Sequence, residues 1–103
     1  MIVVRRDIVE RYLQRMTGQA GGSAARKAWQ AWLAIALAAH WRTPVDIKHS
    51  HPKASVLKRG RAVFNIKAND YRLVTQINYL AETVEIRFFG THAEYDAIDA
   101  QTV

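Results

Sequence analysis

The sequence predicts an α+β fold: an N-terminal strand, then two helices packed on one face of an antiparallel sheet in the order β-α-α-β-β-β, then a short C-terminal helix. Three observations lead there. Two stretches between residues 7 and 42 carry apolar side chains at helical spacing and are parted by "TGQAGGS". Three runs rich in β-branched and aromatic residues, "RAVFNIK", "YRLVTQINYL" and "TVEIRFFG", stand only an "AND" and an "AE" apart, which is hairpin spacing. Thr91 and Glu94 then lie at capping-box spacing, the mark of a helix starting at His92.

Each element has a local reason. "MIVVR" is short and β-branched, hence a strand. "DIVERYLQRM" places Ile8, Tyr12 and Met16 four apart, with Val9 and Leu13 beside them and Asp7 as N-cap. Ser23 is placed to cap the second helix, "AARKAWQAWLAIALAAHWR", where Trp29, Leu33, Leu37 and Trp41 repeat every four residues. Trp32, Ile35 and Ala36 widen that stripe, so the tryptophans are expected in the core. Thr43-Pro44 ends the helix, and "VDIKHSHPKASVLKRGR" is a long connection with weak local signals.

At 103 residues the chain is expected to form one domain, residues 1–103. Half of its residues are hydrophobic and it carries a net charge of +6, so it is globular and suited to an anionic partner such as nucleic acid. The charge is not spread evenly. Arg42, Lys48, Lys53, Lys58, Arg59 and Arg61 face one acid, Asp46, in the middle segment, whereas residues 90–103 hold no Lys or Arg. The chain lacks cysteine, which removes disulfides and thiolate chemistry. "MIVVRRD" puts its charges after its apolar run, the wrong order for a signal peptide, and "AWLAIALAA" is far short of the roughly 20 residues of a membrane span. A cytoplasmic protein without a membrane partner is expected.

If Asn69-Asp70 and Ala81-Glu82 are two-residue turns, Lys67 lies opposite Arg72, Asn65 opposite Val74, Gln76 opposite Arg87 and Asn78 opposite Glu85. Phe64, Ile66, Leu73, Ile77, Ile86 and Phe88 then form the buried face. Asn65, Lys67, Arg72, Gln76 and Arg87 share the face away from the helices, and Arg72 is level with Thr91. "THAEYD" is thereby delivered beside a cationic strand face. A structural account of that motif exists: Thr91 caps, Tyr95 packs and His92 meets water. Its place beside Arg72 favours a functional account.

The chemistry is narrowed by what is missing. There is no cysteine and serine occurs only at positions 23, 50 and 55, so a Ser or Cys nucleophile is poorly supported. His49 and His51 in "KHSHP" lie at strand spacing but have no third ligand at a recognisable distance, so no metal or other cofactor is expected. RNA cleavage needs neither, because the ribose 2′-OH is the nucleophile. A general base, a general acid and cations around the phosphate are enough. Arginine suits the phosphate, and histidine or tyrosine moves protons, tyrosine as a base needing its reference pKa of about 10 lowered by nearby cations.

Three motifs in fixed order, "W-x-x-P-x-D-I-K" (Trp41 to Lys48), "VFNIKAND-YRL" (Val63 to Leu73) and "IRFFGTHAEYD" (Ile86 to Asp96), resemble HigB-type toxins of type II toxin–antitoxin systems, in the RelE/ParE-like superfamily. The resemblance implies a metal-independent messenger-RNA endoribonuclease that acts at the ribosomal A site and inhibits translation. It also implies a cognate HigA-like helix-turn-helix antitoxin. Carried onto this chain, Arg72, Arg87, His92 and Tyr95 are the catalytic candidates, the arginines clamping phosphate while His92 or Tyr95 transfers protons. Asn65, Lys67 and Asn69, with Lys48, Lys58, Arg59 and Arg61 of the basic segment, are the RNA-binding candidates. ParE-like relatives that inhibit DNA gyrase by binding alone are the alternative. Two departures from the family pattern stand out: the glycine-rich "TGQAGGSA" between the helices, and the histidines of "KHSHP".

Overall fold

The computed structural model describes residues Met1 to Val103. In chain order the elements are β1 (Ile2–Val4), α1 (Asp7–Arg15), α2 (Gly22–Ala38), α3 (Pro44–Ser50), β2 (Ser55–Val56), β3 (Arg61–Ile66), β4 (Tyr71–Asn78), β5 (Thr83–Thr91) and α4 (His92–Asp96). The strands form one five-stranded sheet ordered β1-β5-β4-β3-β2. The antiparallel meander β3-β4-β5 is as the short links predict. β1 instead joins the outer edge of β5 in parallel, with Val3 opposite Val84, so the sheet is mixed. No local pattern announces that pairing, because it is closed by the whole intervening chain.

The helices depart from expectation at their ends. α2 buries Ala25, Trp29, Trp32 and Ala36, an alternation of four, three and four residues that keeps one face of a 3.6-residue helix against the sheet. A strict four-residue repeat drifts round the helix, which is why Leu37 is exposed and Leu33 only half-buried. α2 stops at Ala38, where the Met1 nitrogen donates to the carbonyls of Ala36 (3.0 Å) and Ala39 (2.6 Å) and satisfies groups that a helix end leaves open. Trp41 lies past the helix yet is buried, stacked on Phe64 with ring centres 5.8 Å apart. Thr43-Pro44 is expected to end α2, but α2 has already stopped at Ala38, and the pair starts α3 instead. Pro44 takes the first helical position, and Asp46 Oδ2 accepts from the backbone N–H of Arg42 (2.8 Å) and Thr43 (3.2 Å). Those bonds hold the Asp46 carboxyl below its ordinary range.

The main core lies between the helices and one sheet face, built on Trp29, Trp32, Trp41, Phe64, Leu73, Ile77, Ile86 and Phe89. A second, smaller cluster of Val63, Val74 and Ala100 lies on the opposite face, with Phe88, Tyr95, Ile98 and Val103 packed against it. The sequence predicts that face to be open. The segment after α4 folds over its centre instead, and Arg61 holds it there. Arg61 is buried, gives Nε to Gln76 Oε1 (2.8 Å), and gives Nη1 to the main-chain oxygens of Ala100 (3.2 Å) and Val103 (2.6 Å).

The strand registers also differ from the two-residue-turn assumption. Asn65, not Lys67, pairs with Arg72, because the turn comprises Lys67 to Asp70. Gln76 faces Glu85 and Asn78 faces Thr83, since the next turn runs from Tyr79 to Glu82. Shifts by two residues preserve the faces. The third change does not. Thr75 pairs with Ile86 and the adjacent Val74 with Phe88, leaving Arg87 as the extra residue of a β-bulge. Beyond it Phe89 enters the main core and Phe88 joins the smaller cluster, the reverse of the simple alternation. Phe89→Ala is therefore expected to cost about 3–5 kcal/mol, and Phe88→Ala distinctly less, in urea unfolding. A larger loss at Phe88 would contradict the two-faced arrangement.

Candidate functional site

The site is assembled around Arg72. In β4 it pairs with Asn65 of β3 on one side and Gly90 of β5 on the other, at the end of the sheet that the C-terminal segment leaves uncovered. The turn before it is strained: Lys67 and Ala68 have φ of 53° and 54°, in the left-handed region that costs a side-chain-bearing residue of the order of 1–2 kcal/mol. This geometry turns Asn69 back over Arg72. Asn69 Oδ1 accepts from Arg72 Nη2 at 2.6 Å, and the Asn69 and Tyr71 carbonyls accept from Nη1 at 3.0 and 3.2 Å. The guanidinium is thus set in place by its own turn, and Asn69 acts on Arg72 directly.

Beside this turn stands α4. Its first N–H, from His92, donates to the Asp70 carbonyl at 3.1 Å, which ties the helix to the turn. A polar cleft of about 450 Å³ lies between them, lined by Asn69, Asp70, Tyr71, Thr91, His92 and Ala93. The capping box is present: Thr91 Oγ1 accepts from Glu94 N–H (3.1 Å) and Glu94 Oε1 from Thr91 N–H (2.8 Å). Glu94 Oε1 also accepts from the Tyr12 hydroxyl at 2.5 Å, joining α4 to α1. That bond, with the Thr91 N–H, holds the Glu94 carboxyl below its ordinary range. Burial and the same carboxylate push the Tyr12 hydroxyl up. Gly90 permits the tight approach, since a Cβ there would meet the Phe88 ring at 2.8 Å and Glu94 Cβ at 3.2 Å.

With the cap carrying the structural role, His92 and Tyr95 project from the other flanks of the helix. His92 is exposed and its Nδ1 lies 3.0 Å from Asp96 Oδ2, a contact that orients the ring and leaves Nε2 facing outward. Asp96 is not among the candidates read from the sequence, although its i, i+4 spacing from His92 is the signal for it. Tyr95 is half-buried on the smaller cluster of Val63, Val74 and Ala100, next along the strand face from Arg72.

Arg87 projects from the bulge and is exposed, with Nη1 on Glu85 Oε1 (3.1 Å) and Nε on the Val103 main-chain oxygen (3.1 Å). Arg61 reaches the same oxygen, and burial together with the Arg87 charge pushes the Arg61 guanidinium down. The two arginines therefore converge on the covering segment.

The remaining candidates lie apart. Lys67 is drawn out of the strand, its Nζ 3.4 Å from Asp70 Oδ2 and close against Gly21 of the α1–α2 connection. Lys48 gives its Nζ to the carbonyls of Pro52 and Ala54, both at 2.7 Å. Lys58 and Arg59 are exposed before β3, where the Lys58 backbone is bracketed by Gln101 and the Arg59 carbonyl accepts from Gln76. Arg61, being buried, is a tie for the C-terminal segment and not a surface contact. His49 and His51 do not share a strand face, since His49 lies in α3 and is exposed while His51 is half-buried against Trp41 and Phe64. No three His, Asp or Glu side chains are grouped as a metal site.

Helices on one face of a mixed sheet, with Arg72 fixed by its turn beside a capped histidine–tyrosine helix at one end of the other, form a RelE-like α+β arrangement. Residues 25–98, from α2 through α4, match the HigB_toxin family, the RelE-like toxic component of a toxin-antitoxin system. The chain belongs to that family. It is the toxin of such a pair, and membership implies an antitoxin partner. Among curated proteins none matches the chain. No helix is long and apolar enough to cross a membrane.

His51 supplies a pH prediction. Burial holds its pKa below the ordinary 6.5, so the unfolded chain binds more protons wherever the two states differ. This contribution to stability is complete above the unfolded value and is lost as pH falls through the folded one. Urea midpoints are expected to drop from pH 7.5 to pH 5, and to drop less in His51→Gln. Equal pH slopes would remove His51 as the cause.

Proposed function

We propose that this toxin is a metal-independent endoribonuclease that cleaves messenger RNA at the ribosomal A site and so inhibits translation. The observation that carries this reading is the Arg72 guanidinium, fixed by Asn69 at the uncovered end of the sheet, beside a helix that presents His92 paired with Asp96. A phosphodiester on Arg72 has its charge met by a positioned donor, and Arg87 supplies a second cation once it exchanges the Val103 oxygen for phosphate. One of His92 and Tyr95 takes the proton of the ribose 2′-OH as O2′ forms its bond to phosphorus. The other gives a proton to the departing 5′-oxygen as the P–O5′ bond breaks. The products are a 2′,3′-cyclic phosphate and a 5′-hydroxyl, and no metal enters the balance. Asp96 orients His92, and Asn65 meets RNA beside Arg72. Lys58 and Arg59 attract the polyanion from farther away, adding affinity that weakens with salt. Lys48, Lys67 and Arg61 serve the protein's own loops and tail. The antitoxin is a HigA-like helix-turn-helix protein, and the pair works in the cytoplasm.

Primer extension on programmed ribosomes and on the same RNA alone tests this reading. Arg72→Ala and Arg87→Ala are each expected to reduce the cleavage rate by about 10²–10³, and Tyr95→Phe and His92→Ala to reduce it strongly. Lys58→Ala should change it only a few-fold, mostly at higher salt. Comparable losses at Lys58 and Arg87 would move the site to the basic segment. Absence of cleavage by folded, antitoxin-free protein would reject the enzyme in favour of a toxin that acts by binding.

A further inference from the structure

The histidines of "KHSHP", left unused by the cleavage chemistry, border a second cavity. It measures about 340 Å³, and the residues that line it include Ser50, His51, Lys53, Ala54, Phe64 and Asn65. It opens on the edge of β3 beyond β2, which pairs only as far as Val63. We propose that this cavity receives one nucleobase of the RNA adjacent to the scissile phosphate and sets the base preference of cleavage. The inference rests on the ribonuclease reading above.

Its walls are held rigidly. Lys48 Nζ bridges the Pro52 and Ala54 carbonyls. Ser50 Oγ accepts from Trp41 Nε1 at 3.2 Å and lies 2.9 Å from His51 Nδ1. The His51 ring is seated edge-on to Phe64 and Trp41, with ring centres 5.0 and 5.9 Å away. One imidazole nitrogen is thereby engaged while the other has no protein partner. Asn65 lines the cavity at the strand edge and is half-buried, and its side-chain amide likewise has no protein partner. An apolar floor with an amide and an imidazole nitrogen at its rim suits a flat heterocycle with polar edges better than an aliphatic side chain. This is the way unstacked RNA bases are held. The volume lies at the lower end of small-ligand pockets, roughly 300 Å³, which suits one base and not a stack. Asn65 pairs directly with Arg72, so a nucleotide whose phosphate sits on Arg72 has its base within reach of the cavity.

Two measurements test the pocket separately from the enzyme. In the first, AMP, GMP, CMP and UMP are titrated into folded toxin while the His51 ring and Asn65 amide NMR signals are followed, with ribose 5-phosphate as control. At least one nucleotide is expected to shift both signals, and ribose 5-phosphate neither. Shifts produced equally by ribose 5-phosphate, or absent with all four nucleotides, would overturn the pocket. In the second, cut sites are mapped on a randomised RNA with wild type, Asn65→Ala and His51→Phe. Base preference at one position beside the cut should relax at least five-fold in both variants, with the cutting rate of His51→Phe near that of wild type and that of Asn65→Ala lowered by the loss of its RNA contact. Unchanged preference with a uniformly lower rate would also overturn it. If the wild type cuts nothing while the nucleotides still shift both signals, the ribonuclease reading fails and the base site stands as a binding site.

Discussion

The β-bulge at Arg87 is the constraint on which the two sides of this sheet depend. A single extra residue between the partners of Val74 and Thr75 changes which phenylalanine faces the helices. Phe89 goes to the main core, where it lies against Tyr71 and Tyr12, and Phe88 is released to the opposite face. Without that apolar residue the far face would have little besides Val63 and Val74 to hold the C-terminal segment. The same distortion leaves Arg87 out of the ladder and exposed. Packing of two faces and presentation of a cation are thus one backbone event, in keeping with the tendency of bulges to re-aim side chains near functional sites.

The candidate site is built largely from short-range restraints. Asn69 holds Arg72 within a turn that two left-handed residues distort. Thr91 and Glu94 cap the helix that carries His92 and Tyr95, and Asp96 sets the histidine ring. Two long-range bonds then lock these pieces to the body: Tyr12 to Glu94 from α1, and the His92 N–H to the Asp70 carbonyl. Glu94 therefore has a structural task at the centre of a motif rich in reactive side chains. Rigid placement of this kind is what the cleavage proposed for this site demands, since donors that must reorganise lose much of their advantage.

Arginine serves three ends here. Arg72 is held by a turn, Arg87 by a bulge and an acidic neighbour, and Arg61 by burial beneath the segment it fastens. The planar, many-donor guanidinium permits all three uses. The formal charge of the basic middle segment therefore overstates its surface field, because Arg61 and Lys48 spend their donors on the protein's own carbonyls.

Much of this is legible in the residues. The meander, the two helices, the buried tryptophans and the capping box at Thr91 all depend on contacts within a turn or a hairpin, and local patterns record local contacts. The pairing of β1 with β5, the fold-back of the C-terminal segment and the identity of the far-face cluster involve residues far apart in sequence. Alternation puts Lys67 on a binding face, and the charge of its neighbours puts Arg61 on one. Neither signal anticipates a longer turn or a covering tail. A period of two likewise points Phe88 inward, because it carries no sign of an inserted residue. By itself the sequence determined the kinds of element, their order and the side chains able to do chemistry. Tertiary structure decided registers, faces and the partners of each charge, because those depend on long-range packing and on the need of every buried polar group to find a partner.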